Sequence, residues 1–165
     1  MNKVKDSIGW ADYTINPVKG LCPVHCKNNL GEEYCYSAKP KGGLYARFKW
    51  NPEIRFDVKA LLDVEKIKKP SRIFVGSTME LFGEWVDAFW LDSIFRTVKD
   101  NPQHTFIFLT KLPQNLMNWS PFPDNCYIGV SVTNQRQYDD AIKYLAKVDA
   151  KVKFLSIEPL LEYID

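Results

Sequence analysis

Three of the four cysteines fall in one short stretch. Cys22, Cys26 and Cys35 read Cys-x3-Cys-x8-Cys, with Tyr34 and Tyr36 on either side of the third. Clustered thiolates are soft ligands that select zinc or an iron–sulfur cluster. His25 lies inside the same stretch and would complete a Cys3His set, a closed tetrahedral zinc site. The short Cys-x2-Cys pairs of a common zinc finger are missing, so both metals stay open. Cys126 opens an apolar run and reads as a buried structural cysteine; His104 precedes a strand and reads as structural too.

The chain that must hold these thiols is ordinary globular material. It has 165 residues, 45% hydrophobic and 25% charged, enough for one domain with a sizeable core. A formal net charge of +2 argues neither for nor against a nucleic acid partner. The N-terminus lacks the apolar segment of a signal peptide, and no apolar run is long enough to span a bilayer. We expect a cytoplasmic protein with reduced thiols and no membrane partner. That context favours metal ligands over a disulfide framework.

Residues 8–18 hold β-branched and aromatic residues, with a first strand expected near Tyr13–Ile15. The cysteine loop follows over residues 19–36, and a short helix is expected from Cys35, stopped by Pro40, Gly42 and Gly43. Asp57 is placed to cap a helix whose apolar stripe is Val58, Leu61, Leu62 and Ile67. Four apolar runs come next, at residues 72–77, 105–110, 127–132 and 152–157. Between them lie Val86, Phe89, Trp90, Ile94 and Val98 at helical spacing, a Pro-started helix at 113–119, and Tyr138, Ala141, Ile142 and Leu145 behind Asn134 and Gln137 in roughly a capping-box arrangement.

Unbroken apolar strands separated by amphipathic helices predict an α/β fold, a parallel sheet covered on both faces. We count about five βα units in a single domain over residues 1–165, the regular units filling residues 72–161. A complete eight-fold barrel takes about 250 residues. The dinucleotide fingerprint of a doubly wound sheet is absent. A partial, open TIM-type barrel fits the length, and a truncated chain is expected because the last strand is followed by only a few residues.

In such sheets ligands bind at the carboxyl ends of the strands. Here those ends carry Ser77, Thr78 and Glu80, then Thr110 and Lys111, then Ser131, and finally Glu158. For Ser77, Thr110 and Ser131, reaching solvent explains the polarity as well as function does. Glu158 sits between an apolar strand and Pro159-Leu160-Leu161, where a carboxylate is expected to have a partner. Residues 41–56 interleave cations and aromatics (Lys41, Tyr45, Arg47, Phe48, Lys49, Trp50, Arg55, Phe56). Such a patch can bind a nucleic acid strand, but aromatics tucked onto the core are the preferred reading.

Cys22-x3-Cys26 after a first strand, with an aromatic directly before Cys35, resembles the loop of radical S-adenosylmethionine proteins. That loop is Cys-x3-Cys-x2-Cys. The resemblance implies a [4Fe–4S] cluster on Cys22, Cys26 and Cys35, its fourth iron open to S-adenosylmethionine, and radical chemistry by reductive cleavage of that cofactor. Ser77, Glu80, Ser131 and Glu158 are then the candidates for cofactor contact. A wider resemblance runs through Ile8-Gly9-Trp10-Ala11-Asp12, Asn16-Pro17-Val18, Cys35-Tyr36-Ser37, Glu80-Leu81-Phe82, Leu109-Thr110-Lys111 and Glu158-Pro159-Leu160-Leu161. These segments look like the phage protein Gp thirty-seven/Gp sixty-eight family, of unknown function with a three-cysteine, radical-SAM-like motif. Phage and defence contexts imply a nucleic acid or modified nucleoside as substrate.

The departure from the pattern is the spacing: eight residues, not two, separate Cys26 from Cys35. The insert can loop out, or it can change or abolish the cluster. A zinc-stapled nucleic-acid-binding module without catalysis, and a degenerate member lacking cofactor, remain the alternatives.

Overall fold

The computed structural model describes residues 1–4, 9–28, 30–39 and 41–165. Ile8 of the first quoted segment and Pro40, the expected helix stop, lie outside the described residues. The strands are β1 (Asn2–Lys3), β2 (Tyr13–Ile15), β3 (Val18–Lys19), β4 (Arg55–Phe56), β5 (Arg72–Val75), β6 (Thr105–Thr110), β7 (Cys126–Val132) and β8 (Val152–Ile157). The α-helices are α1 (Leu44–Arg47), α2 (Val58–Leu62), α3 (Ala88–Asp100) and α4 (Gln135–Leu145). Tighter 3-10 turns of helix occupy Val64–Lys66 and Pro113–Trp119.

The main sheet has the order β1-β2-β5-β6-β7-β8, and β3 pairs with β4 in a separate ribbon. From β2 to β8 every pairing is parallel; only β1 joins antiparallel. Each new parallel strand is added beside the last without reversal, so the sheet lacks the switch point of a doubly wound fold.

The register separates two faces. Ile73, Phe106 and Cys126 lie side by side, as do Val75, Phe108 and Ile128. These residues are buried in the main core with Leu91, Ile94, Phe95 and Val98 of α3 and Ala141 and Leu145 of α4. On the opposite face Phe74 neighbours Ile107 and Tyr127, and Leu109 neighbours Gly129 and Phe154. Phe74 and Ile107 are buried but stand outside that core, Trp10 packs 4.9 Å from Phe74, and Tyr127 is exposed. The expected sheet covered on both faces is therefore corrected: the helical core covers one face. On the other face a Cβ at Gly129 would lie 2.4 Å from the Phe154 ring and 2.7 Å from Leu109, so both side chains would have to shift to admit one.

Local chemistry explains most boundaries. Asp87 Oδ1 caps α3 by accepting from Phe89 N–H at 2.8 Å. Asn134 Oδ1 caps α4 by accepting from Gln137 N–H at 2.9 Å. Gln137 Oε1 accepts in return from Thr133 N–H and Oγ1, one residue before the expected box partner. Three expectations shift. No helix starts at Cys35; turns occupy Tyr36–Ala38, and α1 begins after Gly43. Asp57 makes no full side-chain cap; its carboxylate is held by Lys19 Nζ at 2.5 Å, with the Lys59 and Ala60 N–H groups beside it. That charge pairing lowers the Asp57 pKa. Val58 and Leu62, expected on a buried stripe, are exposed, while Leu61 and Ile67 are buried; Phe89 of α3 is exposed too. Among the described residues no helix is long and apolar enough to cross a membrane.

Cys126 and His104 lie at the amino ends of β7 and β6 and are fully buried, as expected. Burial lowers the His104 pKa below its ordinary 6.5. The unfolded chain therefore binds the proton first as pH falls, and stability present above pH 6.5 is lost on acidification towards the folded-state value. Urea titrations should show a midpoint that falls as the pH is lowered below 6.5, and His104→Phe should flatten that slope. An unchanged slope in His104→Phe would assign the acid sensitivity elsewhere.

Candidate functional site

The cysteine loop begins at a glycine because no other residue fits. Gly20 has φ +128°, and a Cβ on it would lie 2.6 Å from the Glu53 carbonyl oxygen and 2.8 Å from Ile54 Cα. Trp50 Nε1 donates to the Gly20 carbonyl at 2.9 Å, and Leu21 N–H donates to Pro52 O at 3.1 Å. The stretch 41–56 thus packs Tyr45, Trp50 and Phe56 against the protein, which supports the packing reading for those three aromatics. Tyr45 and Trp50 lie 5.6 Å apart, and Phe56 stacks on Trp90 at 5.6 Å. Arg47, Phe48 and Lys49 remain at the surface.

The insert between Cys26 and Cys35 closes on itself. Lys27 pairs antiparallel with Glu33, and Tyr34 N–H donates to Cys26 O at 2.9 Å. Asn28 Oδ1 accepts from Leu30 and Glu32 N–H, and Gly31 takes φ +79° at the tip. Glu33 Oε1 accepts from Cys26 N–H at 3.1 Å. The long spacing therefore loops out, and the Cys26 and Cys35 thiols come close enough to shift one another's pKa, while Cys26 Sγ also donates to Val24 O at 3.9 Å.

That pair shares one proton unequally. Cys26 holds it, and its pKa is raised by the bond to Cys35 and then by burial. Cys35 is lowered to about 6, first by the bond from Cys26 and further by the backbone N–H groups of Ala38 and Ser37. Cys22 is raised by burial, although Glu80 N–H donates to its Sγ at 3.4 Å. The three thiols feel one another's charge, and Lys111 favours the thiolate of Cys26. Near neutral pH the site presents one thiolate beside two thiols, a set suited to soft-metal ligation or nucleophilic chemistry.

The loop caps three consecutive strand ends. At the β5 exit, Tyr36 Oη donates to Ser77 O, and Tyr45 Oη donates to Thr78 O at 2.6 Å while accepting from Cys22 N–H at 3.3 Å. At the β6 exit, Lys111 Nζ lies 5.9 Å from the Tyr34 ring centroid. At the β7 exit, the Tyr34 hydroxyl bonds Thr133. Removing the Tyr45 hydroxyl leaves a buried N–H and C=O without their shared bridge. We expect Tyr45→Phe to lose about 1–2 kcal/mol in chemical denaturation, with faster alkylation of Cys22. Unchanged alkylation would mean the bridge does not hold the loop.

Glu80 is the buried charge under this cap. Its Oε1 accepts from Thr110 Oγ1 at 2.8 Å and Phe82 N–H at 3.1 Å, and its Oε2 accepts from Lys111 N–H at 2.7 Å. Burial pushes its pKa up, against the three donors that favour the carboxylate. Ser77 exchanges hydrogen bonds with Asn16 at 3.2–3.3 Å. Ser131 is half-buried on β7. Glu158 is exposed, and among the described residues its carboxylate has no hydrogen bond or ion pair, so the expected partner is absent. Cys22, Cys26, Cys35, Glu80 and Ser77 are thus gathered at one end of the sheet. No side-chain hydrogen bond or ion pair among the described residues ties Ser131 or Glu158 to them. Lys111, expected among the strand-end residues, belongs to the site. Tyr36 and Tyr45 belong to it without having been singled out for it; for Tyr36 its place beside Cys35 was the available signal.

The exposed His25 is not among the groups that most strongly shift the thiols. Among the described residues no three His, Cys, Asp or Glu side chains are disposed to hold a metal ion as they stand. In kind and place, however, the donors fit a thiolate-held group. Three mutually coupled sulfurs sit at one strand-end mouth, and the buried Thr78 Oγ1 beside them lacks a hydrogen-bond partner.

Comparison with known proteins adds family and fold. Residues 5–165 match the family described as protein of unknown function (DUF5131). The chain belongs to that family. No curated protein matches it. Among solved structures it is similar to a mutant spore photoproduct lyase, with TM-score 0.63 and 18% identity over 96% of this chain. The chain spans about half of that structure, 48% of its length. At this identity the likeness shows the fold: an α/β arrangement around a mostly parallel sheet.

Proposed function

We propose that this DUF5131 chain is a radical-S-adenosylmethionine-type protein that holds a [4Fe–4S] cluster on Cys22, Cys26 and Cys35. The observation that carries the reading is the thiol loop itself. It follows the first parallel strand, its insert loops out, and it brings three sulfurs over the carboxyl ends of β5, β6 and β7. The fold likeness to a radical SAM enzyme supports the same reading, with the sheet as the wall of an open TIM-type barrel. Membership in the phage Gp thirty-seven/Gp sixty-eight group and a nucleic acid or nucleoside substrate are part of this proposal.

When bound, the cluster would supply one electron to S-adenosylmethionine and so open radical chemistry. The chain's own residues prepare the place. Cys35 offers a thiolate near neutral pH, Lys111 balances the negative charge that gathers there, and the tyrosines tie the loop over the strand ends. In this reading Ser77, Ser131 and Glu158 would be the side chains that contact the cofactor. Glu80 acts through the strand-end turn it braces, since three donors already occupy its carboxylate.

The test is anaerobic reconstitution with iron and sulfide, followed by a metal count and an absorbance spectrum. We expect a broad band near about 400 nm and four irons per chain, lost in Cys22→Ala, Cys26→Ala and Cys35→Ala. Stoichiometric zinc with no iron would replace this reading with the zinc-stapled module. No metal of either kind would leave a fold that has lost its cofactor.

A further inference from the structure

A cavity of about 510 Å³ opens beside the thiol site, between the turn that leaves β5 and the 3-10 helix that follows β6. Its size falls within the roughly 300–1,000 Å³ of small-ligand pockets. None of its lining residues is a cysteine or one of the residues placed towards the cofactor. We propose that this cavity binds an uncharged nucleobase or nucleoside, a site separate from the thiols and independent of the cluster reading.

Two indoles form part of the wall. Trp85 is held by its Nε1, which donates to Glu80 O at 3.1 Å, and its ring lies directly against Gly83. Trp119 packs 5.9 Å from Phe95. Indole faces stack on any base, and each such stack is worth at least several-fold in affinity. Three carboxamides accompany them. Asn115 Nδ2 is committed to Phe82 O at 2.7 Å, which fixes the floor of the cavity. Gln114 and Asn118 make no side-chain hydrogen bond among the described residues, so each keeps a donor and an acceptor. A carboxamide can pair with a base edge through both at once.

The charge of the wall narrows the ligand. Glu84 lines the cavity, and no Lys or Arg does. A phosphate would meet a carboxylate and no cation, so the chemistry favours a nucleoside over its nucleotide. The space is a half-open cleft of small-molecule size, which suits a base laid against its wall.

Equilibrium dialysis of the whole purified chain against adenosine, guanosine, cytidine and thymidine tests this. We expect saturable one-site binding of at least one nucleoside below about 1 mM, and weaker binding of its 5′-monophosphate. Trp119→Ala should weaken binding by roughly tenfold or more. Because Trp119 also packs on the core, Gln114→Ala and Asn118→Ala serve as exposed variants that should weaken binding while leaving the unfolding midpoint unchanged. Cys22→Ser should bind the nucleoside as the wild type does, whether or not a cluster assembles. Absence of saturable binding by any of the four would overturn the proposal. So would binding that the Gln114 and Asn118 variants leave intact, or tighter binding of the monophosphate. Binding lost in Cys22→Ser would return the ligand to the thiol site.

Discussion

Replacing Glu80 with alanine should be among the most damaging single changes in this protein. The side chain is 7% exposed and accepts from two backbone N–H groups and one hydroxyl, on segments that leave β5 and β6. Without it, Phe82 N–H, Lys111 N–H and Thr110 Oγ1 are left buried with no acceptor. Thr110 Oγ1 also accepts from Leu112 N–H at 2.9 Å, so the whole β6 exit loosens. Stranded donors of this kind cost about 1–3 kcal/mol each, less what solvent recovers, and we expect a total loss of roughly 3–5 kcal/mol. In a chain of this size that is a fall of about 10 °C in Tm. Glu80→Gln keeps one carbonyl acceptor and sets an amide donor against the remaining donors, so about 1–3 kcal/mol should be lost. Both follow from denaturant unfolding. Thiol alkylation gives a second readout, because Glu80 N–H donates to Cys22 Sγ. A loss under about 1 kcal/mol in Glu80→Ala would mean that water replaces the carboxylate at little cost.

The second large effect is expected at Gly20. Its φ of +128° is a backbone conformation that L side chains rarely adopt, and the atoms a Cβ would strike belong to the Glu53–Ile54 backbone. A flexible side chain could step aside; a backbone paired through Leu21 N–H and Pro52 O cannot. Gly20→Ala should cost about 2–4 kcal/mol, and Gly20→Val more. The damage should concentrate in the loop. Alkylation followed by mass spectrometry should find Cys22, Cys26 and Cys35 labelled at rates near those of unfolded thiols, while Cys126 stays protected. Protected loop thiols in Gly20→Ala would show that the 52–54 segment can shift to admit a side chain.

The functional reading and the stability reading meet at the same few atoms. The loop is held by Tyr36, Tyr45 and Tyr34 on successive strand ends, and Glu80 braces the turn to which Cys22 is bonded. Any group held by the three thiols would therefore be coupled to the packing of β5 and β6. The cavity beside Trp85 adjoins that turn through the Trp85–Glu80 hydrogen bond.

The sequence alone determined the strands and helices of the regular part. A continuous apolar run such as Thr105–Thr110 is satisfied in the middle of a buried parallel sheet, so its position is set locally. The thiol triplet, and the polar strand ends beneath it, were legible for the same reason: residue type and spacing carry that signal. Tertiary structure decided the rest. Whether eight residues between Cys26 and Cys35 separate the thiols or fold out depends on the Lys27–Glu33 pairing and on Asn28 turning its side chain back onto the loop. Which carboxylate is buried was equally hidden. Glu158 and Glu80 both follow apolar strands, but only Glu80 has a neighbouring strand end supplying Thr110 and Lys111 donors, whereas Glu158 follows the edge strand β8. The covering of one face rather than two could not be read either. Apolar residues alternate onto both faces of β6 and β7, and only the placement of α3 and α4 on the side of Phe106, Phe108 and Ile128 tells the two faces apart.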